Sequence, residues 1–122
     1  FSNKGNYFTL AISEDEVGID IEEVKENSNS KLYEFIKQHH LEFKNNSPKL
    51  IWTMIESSIK LLGISSLMFK EIEIINIKKE DEHNYLFITK YKDILMYGKA
   101  KIINDLFMSI CTYNENFEII NH

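Results

Sequence analysis

The chain has 122 residues, of which 43% are hydrophobic and 27% charged, with one proline, four glycines and one cysteine. This composition predicts a single globular domain over residues 1–122 and excludes collagen-like, low-complexity and disulfide-scaffold proteins. The net charge of −5 argues against nucleic-acid binding, and the chain has no arginine. No apolar run is long enough to cross a bilayer, and lone Cys111 fits a reducing compartment, so we expect a cytoplasmic protein without membrane contact.

The first segments predict a β-hairpin. Residues 7–13 (YFTLAIS) and 17–22 (VGIDIE) are rich in β-branched and aromatic residues, and a short acidic turn joins them. Side chains alternate between the faces of a strand, so Asp20 and Glu22 share one face and the aliphatic residues share the other. The aliphatic face is expected to be buried, with both carboxylates projecting from the opposite side.

Two helices are predicted next. Apolar periodicity over residues 31–43 indicates the first. The second, over residues 48–62, has Ser47 as N-cap, Pro48 in its first turn and Gly63 as C-terminal stop signal. Apolar side chains cover most of this second helix, which predicts that it is largely buried. They leave a narrow polar stripe of Lys49, Thr53, Glu56, Ser57 and Lys60.

The rest of the chain alternates strand-like and turn-like segments. The predicted strands are residues 72–77, 85–91, 94–103 and 106–113, and residues 114–122 have no clear assignment. Because short polar turns join these strands, they form an antiparallel meander. The expected fold class is therefore α+β, a mostly antiparallel sheet packed against two main helices.

Two pairs of side chains could carry chemistry. Asp20 and Glu22 converge on one strand face, where they could bind Mg²⁺ through oxygen or simply form a solvated face. Glu56 and Lys60 are four residues apart on the second helix. They could be a surface ion pair or, because apolar residues surround them, a functional pair.

The histidines and the cysteine offer weaker candidates. Adjacent side chains on a helix point about 100° apart, so His39 and His40 do not share one metal ion easily. His83 falls in a predicted turn and His122 in the tail, and neither has metal-ligand spacing. Cys111 has no basic neighbour in its strand and is expected to be a core residue.

Three segments together resemble the surfactin-type 4′-phosphopantetheinyl transferases. Residues 1–5 (FSNKG) are similar to the family's I-S-H-S-G, and residues 18–22 (GIDIE) match G-I-D-I-E. About thirty residues later, residues 52–60 (WTMIESSIK) match W-[ST]-x-K-E-[AS]-x-x-K. The order of the motifs, their spacing and the trailing strands agree, so the resemblance covers nearly the whole chain and implies the 4′-phosphopantetheinyl transferase fold.

The resemblance implies Mg²⁺-dependent or Mn²⁺-dependent transfer of phosphopantetheine from coenzyme A to a serine of an acyl or peptidyl carrier protein. In that family Asp20, Glu22 and Glu56 would hold the metal against the pyrophosphate of coenzyme A. Lys60 would neutralise a phosphate oxygen. Glu56 is our first choice for the base that takes the serine proton, and Glu42 is the second.

The nucleotide end of coenzyme A involves the first motif. Ser2 would bind its 3′-phosphate, with Asn3 and Lys4 beside it. Asn3 replaces the family histidine, and Lys4 could supply the missing positive charge. Ile55 stands where the family has a lysine, which removes another cation.

The family members are pseudo-dimers of two similar halves, and this chain corresponds to the second half. Since the chain begins at Phe1, we expect it to be a piece of a longer protein whose first half completes the coenzyme A site. One alternative is self-association, as in the small trimeric holo-acyl-carrier-protein synthases. The other is a catalytically impaired module that binds a carrier or partner protein.

Overall fold

The computed structural model describes residues 10–11, 16–23, 34, 47–115 and 119–120. These residues have an α+β architecture, as predicted. The elements in chain order are β1 Leu10–Ala11, β2 Val17–Glu23, α1 Pro48–Leu62, a 3₁₀ helix Ser66–Glu71, β3 Glu73–Lys79, β4 Asn84–Tyr91, β5 Ile94–Ile103, β6 Leu106–Thr112 and β7 Ile119–Ile120.

The main sheet has five antiparallel strands in the order β2-β6-β5-β4-β3. Strands β3 to β6 form the predicted meander. Its two tight turns place Lys92 and Asn104 at positive φ, 54° and 52°. Each is the first residue of a two-residue connection, where positive φ matches the twist of the flanking strands. Strands β1 and β7 pair separately as a two-stranded sheet.

The predicted bounds and caps of α1 are confirmed. The Ser47 side chain accepts a hydrogen bond from the backbone N–H of Lys49 at 3.2 Å, and Pro48 occupies the first turn. Gly63 ends the helix in the left-handed conformation with φ 69°, and its N–H donates to the carbonyl of Ile59 at 2.9 Å. Each signal acts within a few residues, so sequence alone locates both ends.

Helix α1 covers one face of the sheet. It approaches β2 so closely at Gly18 that a Cβ built there would lie 2.0 Å from the Ser57 carbonyl oxygen and 2.5 Å from the Leu61 nitrogen. The opposite sheet face carries a separate buried apolar cluster. The core between α1 and the sheet consists of two clusters, which include Leu50, Met54, Leu61, Phe87, Met96, Phe107 and Cys111 in one and Ile51, Ile55, Ile59, Ile72 and Ile74 in the other.

The structure differs from the sequence-based predictions in the pairing of β1 and β2 and in the 3₁₀ helix. The predicted hairpin is wrong for the described residues, because β1 pairs with β7 whereas β2 pairs with β6. This pairing sets Ile19 and Ile21 of β2 against Ile110 and Met108 of β6 and buries all four. The helix predicted over residues 31–43 lies outside the described residues, except for one helical position, Glu34. The 3₁₀ helix was not predicted.

Within the described parts of the chain, no helix is long and apolar enough to cross a membrane.

Candidate functional site

Strand β2 presents Asp20 and Glu22 on the face that α1 covers. Asp20 lies opposite Ser109 of β6 and is only 4% exposed, so a solvated face is the wrong interpretation for this carboxylate. Glu22 is half-buried. Both faces of β2 are therefore covered where Asp20 lies. An aspartate in such a position requires charge compensation.

That compensation comes from α1. The ammonium Nζ of Lys60 lies 2.9 Å from Oδ1 of Asp20, and the side chains are 35% and 5% exposed, respectively. The two residues are forty positions apart in the chain. Lys60 thus pairs with Asp20 across the helix–strand interface, and its positive charge also acts on Glu56 of the same helix.

Glu56 completes a group of interacting charges. Its pKa is raised, chiefly because burial disfavours the carboxylate and then because of the nearby negative charge of Asp20. The positive charge of Lys60 opposes this rise, and the charge of Glu22 adds to it. The electrostatic interactions show that the three predicted carboxylates share one neighbourhood.

Two carboxylate oxygens in this neighbourhood are buried. Oδ2 of Asp20 and Oε1 of Glu56 accept no hydrogen bond from the described residues. A buried oxygen in that state is costly, and a cation with its water molecules would satisfy it. These oxygens therefore fit a hard, oxygen-seeking ion.

A three-ligand cluster is not preformed. Across residues 16–23 and 47–115, no group of three or more His, Cys, Asp or Glu side chains is arranged to hold a metal ion. Mg²⁺ commonly uses one or two protein carboxylates and takes its remaining ligands from water and substrate phosphate. Asp20 and Glu56 fit that pattern, and Glu22 as the third ligand stays a prediction.

Buried hydroxyl pairs fix α1 against the sheet beside these charges. Thr53 and Ser109 are 2.7 Å apart through their hydroxyl oxygens, and so are Ser58 and Thr89. Thr53 and Ser57 were predicted to lie on a polar stripe, but both are fully buried. Their hydroxyls donate to helix carbonyls one turn back, so they face the sheet without leaving a donor unsatisfied.

Sequence reasoning missed these hydroxyls as positioning residues. The available signal was several small hydroxyl residues on a helix that is otherwise apolar nearly all round. A hydrophobicity pattern counts such residues as polar and assigns them to the surface.

Several predicted residues cannot be placed. Ser2, Asn3, Lys4 and Glu42 lie outside the described residues, and so do His39, His40 and His122. His83 lies in the β3–β4 turn, where its backbone N–H donates to Asp81 at 2.8 Å.

The structure confirms Cys111 as a core residue. Burial raises the pKa of its thiol to about 12.

Ile55 of α1 is also fully buried. The position at which the resemblance expects a lysine therefore faces the core and offers no cation to a ligand.

No protein-family model matches the chain, and a search of curated proteins finds no significant match.

Proposed function

We propose that this chain carries the metal-binding part of a 4′-phosphopantetheinyl transferase of the surfactin type. The observation that carries the proposal is the meeting of three motif residues, Asp20, Glu56 and Lys60, at one helix–strand contact. Asp20 belongs to residues 18–22 and Lys60 to residues 52–60, and the two side chains interact across forty positions of the chain.

Each of these residues has its own role in the proposed reaction. Asp20 and Glu56 would hold Mg²⁺, with Glu22 next to them. A bound metal would supply positive charge to the pyrophosphate of coenzyme A, whose P–O–P bond breaks as the serine oxygen bonds to the phosphopantetheine phosphorus and 3′,5′-ADP leaves. Lys60 disperses charge on a phosphate oxygen. Glu56 is also our candidate for the base that takes the proton of the carrier-protein serine, directly or through a water molecule.

Intact mass spectrometry tests the proposal. The full-length protein is incubated with coenzyme A, Mg²⁺ and a panel of acyl and peptidyl carrier proteins, and we expect one carrier to gain the mass of phosphopantetheine. Glu56→Gln should slow the transfer by roughly 10²–10⁴-fold, the usual contribution of a general base. Glu23→Gln is the matched control, since this exposed glutamate of β2 occupies the opposite strand face. No mass gain in any carrier would contradict the proposal.

A second candidate is a catalytically impaired module that keeps the fold and binds a carrier or partner protein. The buried position of Ile55 favours it, because the site lacks the cation expected there. Calorimetric titration with coenzyme A and Mg²⁺ separates the two functions. Saturable, metal-dependent binding that is lost in Glu22→Ala would argue for the transferase. Sedimentation of the chain would test whether self-association completes the site.

A further inference from the structure

Lys60 is the cation that compensates Asp20 in this structure. The Asp20 side chain is 5% exposed, and its Oδ1 lies 2.9 Å from the Lys60 ammonium. A positive partner stabilises a carboxylate that is buried to that degree. The Lys60 side chain is 35% exposed, so this ion pair lies at the edge of the buried region.

The same ammonium lies among the carboxylates that would hold a metal ion. Glu56 precedes Lys60 by one helical turn, and the charges of both Asp20 and Lys60 act on it. A lysine ammonium is a compact point charge on a flexible four-carbon stem. It therefore resembles a metal ion electrostatically, and it can leave without any movement of the backbone.

We propose that the Lys60 ammonium takes the place of the metal in the metal-free protein. It pairs with Asp20 until a divalent ion replaces it. This inference rests on the proposed function. Two cations at one carboxylate repel each other, and the partly exposed lysine is the one that can move. Metal binding therefore releases the ammonium toward solvent, where it is available to a phosphate oxygen of the substrate. Lys60 thus sets the metal affinity of the site and couples it to the arrival of an anion.

Mn²⁺ binding followed by electron paramagnetic resonance tests the exchange. We expect Lys60→Met to bind Mn²⁺ about tenfold more tightly than the wild type, because the partly exposed ammonium no longer competes with the ion for Asp20. Lys60→Arg keeps the charge and should stay within about twofold of the wild type. Lys49→Met removes a positive charge from the same helix eleven residues earlier, about 16 Å away, and should also change little.

A second test of the exchange uses the wild-type protein alone. The ¹⁵N-detected ammonium signal of Lys60 should show protection from hydrogen exchange that is lost when Mg²⁺ saturates the protein. A protected signal at saturation would overturn the exchange, as would equal Mn²⁺ affinity in wild type and Lys60→Met. Both results would leave the proposed metal site standing. Absence of Mn²⁺ binding in every folded variant would instead remove the metal site and, with it, the proposed function.

Discussion

Replacing Gly18 with alanine tests the close contact between α1 and β2. The added Cβ would lie 2.0 Å from the Ser57 carbonyl oxygen, about 1.4 Å short of ordinary contact at 3.4 Å. Both nearest atoms belong to helix backbone and cannot rotate away, so α1 must shift as a body. Overpacking of a core typically costs about 1–3 kcal/mol of stability. A clash with backbone atoms should cost at least as much as the upper end of that range. We expect a loss of about 3 kcal/mol in the free energy of unfolding.

Urea denaturation measures this loss, and a melting temperature lower by roughly 10 °C should accompany it. Gly63→Ala is the matched control, because nothing lies within 4 Å of the position that its Cβ would occupy and only its φ of 69° opposes a side chain. That strain costs about 1–2 kcal/mol. If Gly18→Ala destabilised the protein no more than Gly63→Ala, the close helix–strand contact would be refuted.

Three further predictions concern buried groups. The pKa of Glu56 is raised, so its proton stabilises the fold in acid and that contribution is lost as pH rises through the folded-state pKa. Glu56→Gln should therefore melt higher than the wild type at pH 7, with the difference vanishing below the ordinary value of 4.5. Thr89→Val removes the hydroxyl that pairs with Ser58, and because Ser58 still donates to the Met54 carbonyl, the loss should be about 0.5–1.5 kcal/mol in chemical denaturation. The loss should be smaller when Ser58→Ala is already present. Cys111, with a pKa of about 12, should resist a thiol reagent at pH 8 until urea unfolds the chain, and rapid labelling of the native protein would contradict its burial.

The elements that sequence predicted well are those set by local signals. Helix α1 runs over the predicted range because its caps lie within a few residues of its ends. The β3–β6 meander was predictable because turn residues separate apolar runs, although individual strand ends differ by one or two residues.

Pairings between distant parts of the chain could not be predicted from local sequence signals. Strand β2 joins β6 with Val17 opposite Thr112, and nothing near β2 in the sequence indicates that partner. The proximity of Asp20 and Glu56 followed from family motifs, whereas the ion pair of Lys60 depends on how α1 is rotated over the sheet. The buried hydroxyls depend on the same rotation.

Gly18 of the GIDIE segment forms one geometric unit with the charged residues Asp20, Glu56 and Lys60. Gly18 meets α1 at the turn between Ser57 and Leu61; Lys60 belongs to that turn and Glu56 directly precedes it. Asp20 follows Gly18 by two residues and so lies about 6.6 Å further along the same strand face. A lysine stem spans that offset, and the 2.9 Å contact with Asp20 shows that it does. A side chain at position 18 would push away the helix turn that carries the site, so Gly18→Ala should weaken Mn²⁺ binding as well as the fold.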